Sequence, residues 1–172
     1  MLPGVLDWPE FVNADEIARG ISPFHPERLG LQAGRLMLLR IHELLERGES
    51  FAFETTLSSK SYGPFIQNAQ KQGYSVTLLF FYLKSPEIAI ERVSLRVREG
   101  GHFIPDDVVR RRYESGLRNL FGIFIHAVDS WFVINNSQCD YNVIARGQNG
   151  RTTVVDEITW SQITKRYSNG LG

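Results

Sequence analysis

The sequence predicts an α/β domain with a mainly parallel sheet and helices on both faces. Three observations predict it. Short apolar stretches alternate with longer amphipathic ones along the chain. One short stretch, Leu78-Leu79-Phe80-Phe81, is apolar at consecutive positions, as in a strand covered on both faces in the middle of a sheet. Two others run straight into carboxylates, Asp15 and Glu54, and sites in such folds gather where strands end at their carboxyl side.

The strand candidates, in order, are Phe11-Val12-Asn13-Ala14, Ser50 to Thr56, Ser75 to Leu83, Trp131 to Asn135 and Tyr141 to Ala145. The strongest helix spans Pro26 to Arg47, with Leu29, Ala33, Leu36, Ile41, Leu44 and Leu45 on one apolar face and Gly48 as its stop. A second covers Ser61 to Gln72 and ends at Gly73. A third opens on Ser85-Pro86-Glu87 and runs to Gly100-Gly101. Another follows Pro105, with Asp106 and Asp107 complementing its dipole, and a last covers Asp156 to Tyr167.

All 172 residues suit one domain with a single core. Nineteen Lys and Arg balance nineteen Asp and Glu, which argues against a general nucleic-acid or membrane-surface binder. The lone cysteine, Cys139, excludes an intrachain disulfide framework and suggests a reducing cytoplasm. No apolar run is long enough to span a bilayer, and Met1 to Glu10 lack the pattern of a signal peptide.

If the first two strands are parallel neighbours, Asp15 and Glu54 emerge on one rim. A carboxylate there can take a proton from a substrate hydroxyl, and the hydroxyls of Thr55 and Thr56 can hold a polar substrate. The alternatives are a helix N-cap for Asp15 and an exposed strand end for Glu54.

A basic cluster flanks the turn from Gly100 to Pro105: Arg92, Arg96, Arg98, Arg110, Arg111 and Arg112. Arginines around a glycine hinge make a lid suited to phosphoryl oxygens. The alternative is a solvated face, with Arg92 and Arg96 paired to Glu91 or Glu99. His102, at the hinge, is a minor phosphate or substrate candidate. His25, His42, His102, His126 and Cys139 show no metal-ligand spacing. Asn135-Asn136-Ser137 reads as a turn more simply than as a base contact. Gly147 to Thr153 looks like half a phosphate loop, but its spacing is short and Arg151 replaces the lysine. A hairpin turn is the simpler reading.

Phe11 to Ala18, Ser22-Pro23-Phe24-His25-Pro26, Phe51 to Thr56, and Gly100 to Pro105 with Arg110-Arg111-Arg112-Tyr113 together resemble the zeta toxin family, in its small stand-alone bacterial branch. The resemblance covers nearly the whole chain. It implies a three-layer P-loop kinase-like fold and ATP- and Mg2+-dependent phosphorylation of a nucleotide sugar such as UDP-N-acetylglucosamine. It implies a catalytic base at Asp15 and substrate contacts from Glu54, Thr55 and Thr56. Lid arginines are implied at Arg98 and at one of Arg110, Arg111 and Arg112, of which Arg111 is the chosen one, with Arg96 and His102 as further lid candidates. An antitoxin protein is the implied partner.

The family's phosphate loop, G-x-x-x-x-G-K-[ST], occurs nowhere in the sequence. Single-domain fold without the family's first strand, loop and first helix is therefore the expectation for residues 1–172. In the family's strand order that first strand lies between the strand ending at Glu54 and the strand containing Leu78 to Phe81. Three outcomes are open: a longer natural chain, completion by another copy or partner through exposed sheet edges, or direct pairing of the two strands. An ATP-dependent kinase and a non-catalytic ligand- or partner-binding module are the two functional expectations.

Overall fold

The structure, a computed structural model, describes residues 10–99, 101, 103–138 and 141–168. They divide into two compact units. One holds the residues up to Thr55 and those between Val93 and Phe103; the other holds Thr56–Arg92 and the residues from Ile104 onward.

In the first unit, β1 (Phe11–Val12) pairs in parallel with β2 (Ala52–Phe53), Phe11 opposite Ala52 and Val12 opposite Phe53. Parallel neighbours need a helical crossover, here α1 (Ala14–Ile21), a short 3-10 turn (Pro26–Leu29) and α2 (Gly30–Glu46). The first strand is therefore shorter than the sequence suggested. Asn13 leaves it to cap α1: its φ and ψ are −135° and 126°, and its Oδ1 accepts from the N–H groups of Asp15 and Glu16. An Asx side chain in that position satisfies donors that the first helical turn leaves open.

The single long helix expected from Pro26 to Arg47 opens as a 3-10 turn and is α-helical from Gly30. Its buried face is Ala33, Met37, Ile41, Leu44 and Leu45. Leu36, expected on that face, is 37% exposed. At about 100° per residue, position 37 falls in line with 33, 41 and 44, whereas position 36 lies to one side. Gly48, at φ 69°, ends the helix as expected.

In the second unit, α3 (Tyr62–Lys71) leads to β3 (Thr77–Tyr82), and α4 (Pro86–Arg98) begins there. α5 (Asp106–Asn119) continues through a π turn (Leu120–Phe124) into α6 (Ile125–Ala127). Then come β4 (Ser130–Asn135), β5 (Asn142–Gln148), β6 (Arg151–Val154) and α7 (Glu157–Tyr167). The strand order is β3-β4-β5-β6, with β3 and β4 parallel and the other pairs antiparallel.

The core of this unit includes Leu117, Leu120 and Phe124 from the α5–π segment, Val133 and Ile144 from the sheet, and Ile163 from α7. Trp131 stacks on Trp160 at 5.7 Å between ring centroids. The β5–β6 turn is Asn149-Gly150, with φ 50° and 74°. Positive φ at both central residues is the type I′ signature of a two-residue hairpin. The half-motif at Gly147 to Thr153 is thus a hairpin, as expected.

β3 departs from its expected place. It sits at one edge of its sheet, with β4 as its neighbour, and Leu78 to Phe81 are half-buried rather than enclosed. β2 and β3 belong to different sheets. The second neighbour that a central strand needs is not among the described strands. No helix among the described residues is long and apolar enough to cross a membrane.

Candidate functional site

The first unit brings the two predicted rim carboxylates to one edge, as the parallel β1–β2 register requires. Asn13 is the link between them. Its Nδ2 donates to Glu54 Oε2 at 2.7 Å, while its Oδ1 accepts the Asp15 N–H at 2.8 Å. One amide thus orients the end of β2 and the start of α1. Glu54 also donates its own N–H to the Val12 carbonyl at 3.4 Å, continuing the ladder to the rim.

With Asn13 as the cap, Asp15 has a different place from the N-cap alternative. It lies in the first turn of α1, and its Oδ2 is 3.3 Å from Nη1 of Arg96. Both side chains are about half exposed, at 41% and 51%, so the pair stays open to solvent and to a ligand. Arg96 pairs across the unit with Asp15 rather than with Glu99, just past the end of its helix.

Gly101 explains how the chain turns beneath Arg96. Its N–H donates to the Arg96 carbonyl at 2.8 Å. A Cβ on Gly101 would stand 2.7 Å from Arg96 Cγ and 2.9 Å from that carbonyl oxygen. Only a residue without a side chain lets the backbone approach so closely. Arg98, exposed at the end of α4, has no hydrogen-bond or ion-pair partner among the described residues. Gly100 and His102 lie outside the described residues.

A hollow of about 310 Å³ runs along β1, lined by Glu10, Phe11, Val12, Asn13, Glu16, Ile17 and Arg40. Arg40 is held there by Glu10 at 3.1 Å and Glu43 at 2.9 Å. Those hydrogen bonds, Glu43 first, raise its pKa. Asp15, which falls between the lining residues Asn13 and Glu16 in sequence, does not itself line the hollow, and neither does Glu54.

The other predicted arginines belong to the second unit. Arg92 donates to the Asn136 carbonyl, and to Asn136 Oδ1 at 3.4 Å, instead of pairing with Glu91. Asn135 Oδ1 accepts the Ser137 N–H at 3.0 Å, and Ser137 Oγ accepts the Lys84 N–H at 2.8 Å. Asn135 is thus the last residue of β4, and the bend that follows begins at Ser137. Arg110 is bound to Glu87, and that guanidinium is the main reason the Glu87 carboxyl falls to about 2. Arg111 and Arg112 are exposed and have no hydrogen-bond or ion-pair partner among the described residues.

Thr56 and Leu57 also carry a feature that the sequence did not announce. Leu57 is buried yet has φ 54°, a conformation rare for a residue with a branched side chain. Asn119, a buried side chain on α5, donates to the Leu57 carbonyl at 2.8 Å. A Cβ on Gly116 would stand 2.7 Å from the Thr56 carbonyl oxygen. A bare position on α5 and one buried amide therefore seat the segment that follows Glu54 and Thr55. Thr56 Oγ1 lies 2.8 Å from Ser58 Oγ.

The zeta toxin family model matches residues 25–142, more than half of the chain. The chain belongs to the zeta toxin family. An uncharacterised protein of Haemophilus influenzae is 33% identical over 102 residues, 59% of this chain and 73% of that protein. A solved chain from the PezAT chromosomal toxin–antitoxin system of Streptococcus pneumoniae has the same fold. The TM-score is 0.57 with 14% identity, over 92% of this chain and 72% of that one. The fold is thus the α/β, P-loop kinase-like one expected from the family resemblance.

Set against the zeta toxin resemblance, the described residues bring Asp15 and Glu54 to one edge but include no phosphate-loop cradle. The stretch most like a phosphate loop is the β5–β6 hairpin, whose backbone is committed to the ladder between Gln148 and Arg151. No group of three or more His, Cys, Asp or Glu among the described residues is placed to hold a metal ion. Without a phosphate loop, the described residues do not fit the triphosphate of the nucleotide.

Proposed function

We propose that this chain binds the acceptor of a zeta-toxin-type phosphoryl transfer, a nucleotide sugar of the UDP-N-acetylglucosamine kind, at the rim of Asp15 and Glu54. The observation that carries this reading is the Asn13 amide, which ties Glu54, after β2, and the backbone of Asp15, at the start of α1, into one edge. In this reading Asp15 receives the acceptor hydroxyl and takes its proton, as a carboxylate within hydrogen-bond reach can. Glu54, Thr55 and Thr56 hold the sugar's polar groups. Arg98, a cation with no partner among the described residues, meets phosphate oxygens, with Arg96 steadying Asp15, and Arg111, likewise without a described partner, is the phosphate candidate of the second unit. Arg110 is engaged by Glu87, and so Arg112 is the next candidate after Arg111. These 172 residues alone do not turn over ATP in this proposal, because no phosphate loop is among them.

Calorimetry with UDP-N-acetylglucosamine tests the binding, with ATP hydrolysis measured alongside. The expected result is saturable binding of the sugar nucleotide, weakened about tenfold or more by Glu54→Gln, with no ATP turnover. Absence of binding at millimolar ligand would defeat the acceptor assignment. ATP-dependent phosphorylation of the sugar by these 172 residues would defeat the statement on turnover.

The likeness to a PezAT chain favours a second reading, in which the chain is held by a protein partner of the antitoxin kind. A chain that ignores sugar nucleotides yet forms a stoichiometric complex with the product of an adjacent gene would support that reading over the first.

A further inference from the structure

α2 has a second side that its core packing does not use. With about 100° per residue, Leu31, Arg35, Leu38, Leu39, His42 and Glu46 fall within an arc of roughly 100°, opposite the buried face. Leu31 is 87% exposed, Leu39 66% and Leu38 44%. No other helix of the described residues exposes so many large apolar side chains. A contiguous apolar stripe framed by polar groups marks an interaction surface, whereas isolated surface leucines do not.

The charges on that stripe point to what covers it. Arg40, on the flank of α2, is paired with Glu10 and Glu43, and Arg47, just past its end, with Glu43. Arg35 and Glu46, on the stripe itself, have no hydrogen-bond or ion-pair partner among the described residues. They lie three turns apart, about 16 Å along the axis, with Leu38 and Leu39 between them. A positive group before Leu38 and Leu39 and a negative one after them make this part of the stripe complementary to itself when reversed. A second α2 laid antiparallel along it sets Arg35 of each copy beside Glu46 of the other and joins the leucines in the middle. This is an isologous contact of the kind that a two-fold dimer requires.

We propose that the Arg35–Glu46 face of α2 is the contact surface of a homodimer, formed by antiparallel packing of this helix on the same helix of a second copy. The surface is independent of the Asp15–Glu54 rim, and it differs from the open edges of β2 and β3.

Sedimentation equilibrium of the full chain over a wide concentration range tests it. The expected result is a reversible monomer–dimer equilibrium. Arg35→Glu and Glu46→Arg should each raise the dissociation constant about tenfold or more, because each sets like charges together at both ends. The double variant Arg35→Glu/Glu46→Arg, with the charges exchanged, should return to within about threefold of the unaltered chain. Both positions are exposed, so the helical circular dichroism of all variants should match. A variant that lost helix would be replaced by Arg35→Gln or Glu46→Gln, which should weaken the dimer less but in the same direction. A monomer at every concentration would overturn the proposal. So would a dimer insensitive to both reversals, the result expected of sheet-edge association, or a double variant no better than the singles.

Discussion

Asn13 donates its amide hydrogen to Glu54 while the other end of the same amide caps α1. A cap of this kind contributes about 1 kcal/mol, within a range of roughly 0.5–2. Asn13→Ala should therefore lower the unfolding free energy by about 1–2 kcal/mol in urea titrations. Asn13→Asp retains the capping oxygen but sets a carboxylate against Glu54. It should lose less stability than the alanine variant, yet weaken sugar-nucleotide binding at least as much. If Asn13→Asp bound the ligand as tightly as the unaltered chain, the tie to Glu54 would have no part in the rim.

Asp15 and Arg96 form a half-exposed ion pair, and such pairs contribute about 0–1 kcal/mol to stability. Their loss should separate binding from folding. Asp15→Asn should leave the urea midpoint nearly unchanged while reducing sugar-nucleotide affinity about tenfold. Arg96→Ala should do the same to a smaller extent. A large drop in stability without any change in affinity would return Asp15 to a purely structural place at the start of α1.

The parts of this rim that were legible in the sequence are those written in local pattern. Asp15 and Glu54 directly follow short apolar stretches, and a parallel pairing of those stretches is enough to bring them to one edge. The Asn149-Gly150 turn carries its own conformational signature. What could not be read depends on contacts between distant residues. Asn13 looked like the third residue of a strand; its role is set by Glu54, 41 positions away. Arg96 had an acidic neighbour just past the end of its helix, yet meets Asp15, 81 positions away. Leu36 and Met37 are both apolar, and only the axial phase of α2 decides which one faces inward. The consecutive apolar run in β3 indicated two covered faces, but apolarity does not say which strands lie alongside.

The seat of Leu57 gives a prediction about the second unit alone. Asn119→Leu removes one hydrogen bond to the Leu57 carbonyl in a buried setting, which costs about 0.5–1.5 kcal/mol. Gly116→Ala pushes a methyl against the Thr56 carbonyl and should cost about 1–3 kcal/mol by overpacking. The two positions serve one backbone segment, so their combined effect should be smaller than the sum. Urea unfolding of both single variants and the double variant measures this. Strict additivity would mean that α5 holds Thr56 and Leu57 independently.

Glu87 and Arg110 give the pH dependence. The guanidinium, helped by hydrogen bonds from the Glu87 backbone and Ser85, lowers the Glu87 carboxyl from an ordinary 4.5 to about 2. A carboxyl whose pKa is depressed by folding favours the native state wherever it is ionised. The contribution of this pair is complete above about pH 4.5, declines as the unfolded carboxyl takes up its proton, and is lost once pH falls below about 2. Because both side chains are well exposed, the effect on total stability is small and is further reduced by salt. The direct measurement is a carboxyl 13C titration of Glu87, with a midpoint expected near 2 in the unaltered chain. In Arg110→Ala the midpoint should rise toward 4.5, since the largest single cause of the shift is removed. A midpoint that does not move would show that Arg110 is not bound to Glu87 in solution, and would restore it beside Arg111 and Arg112 as a phosphate-facing candidate.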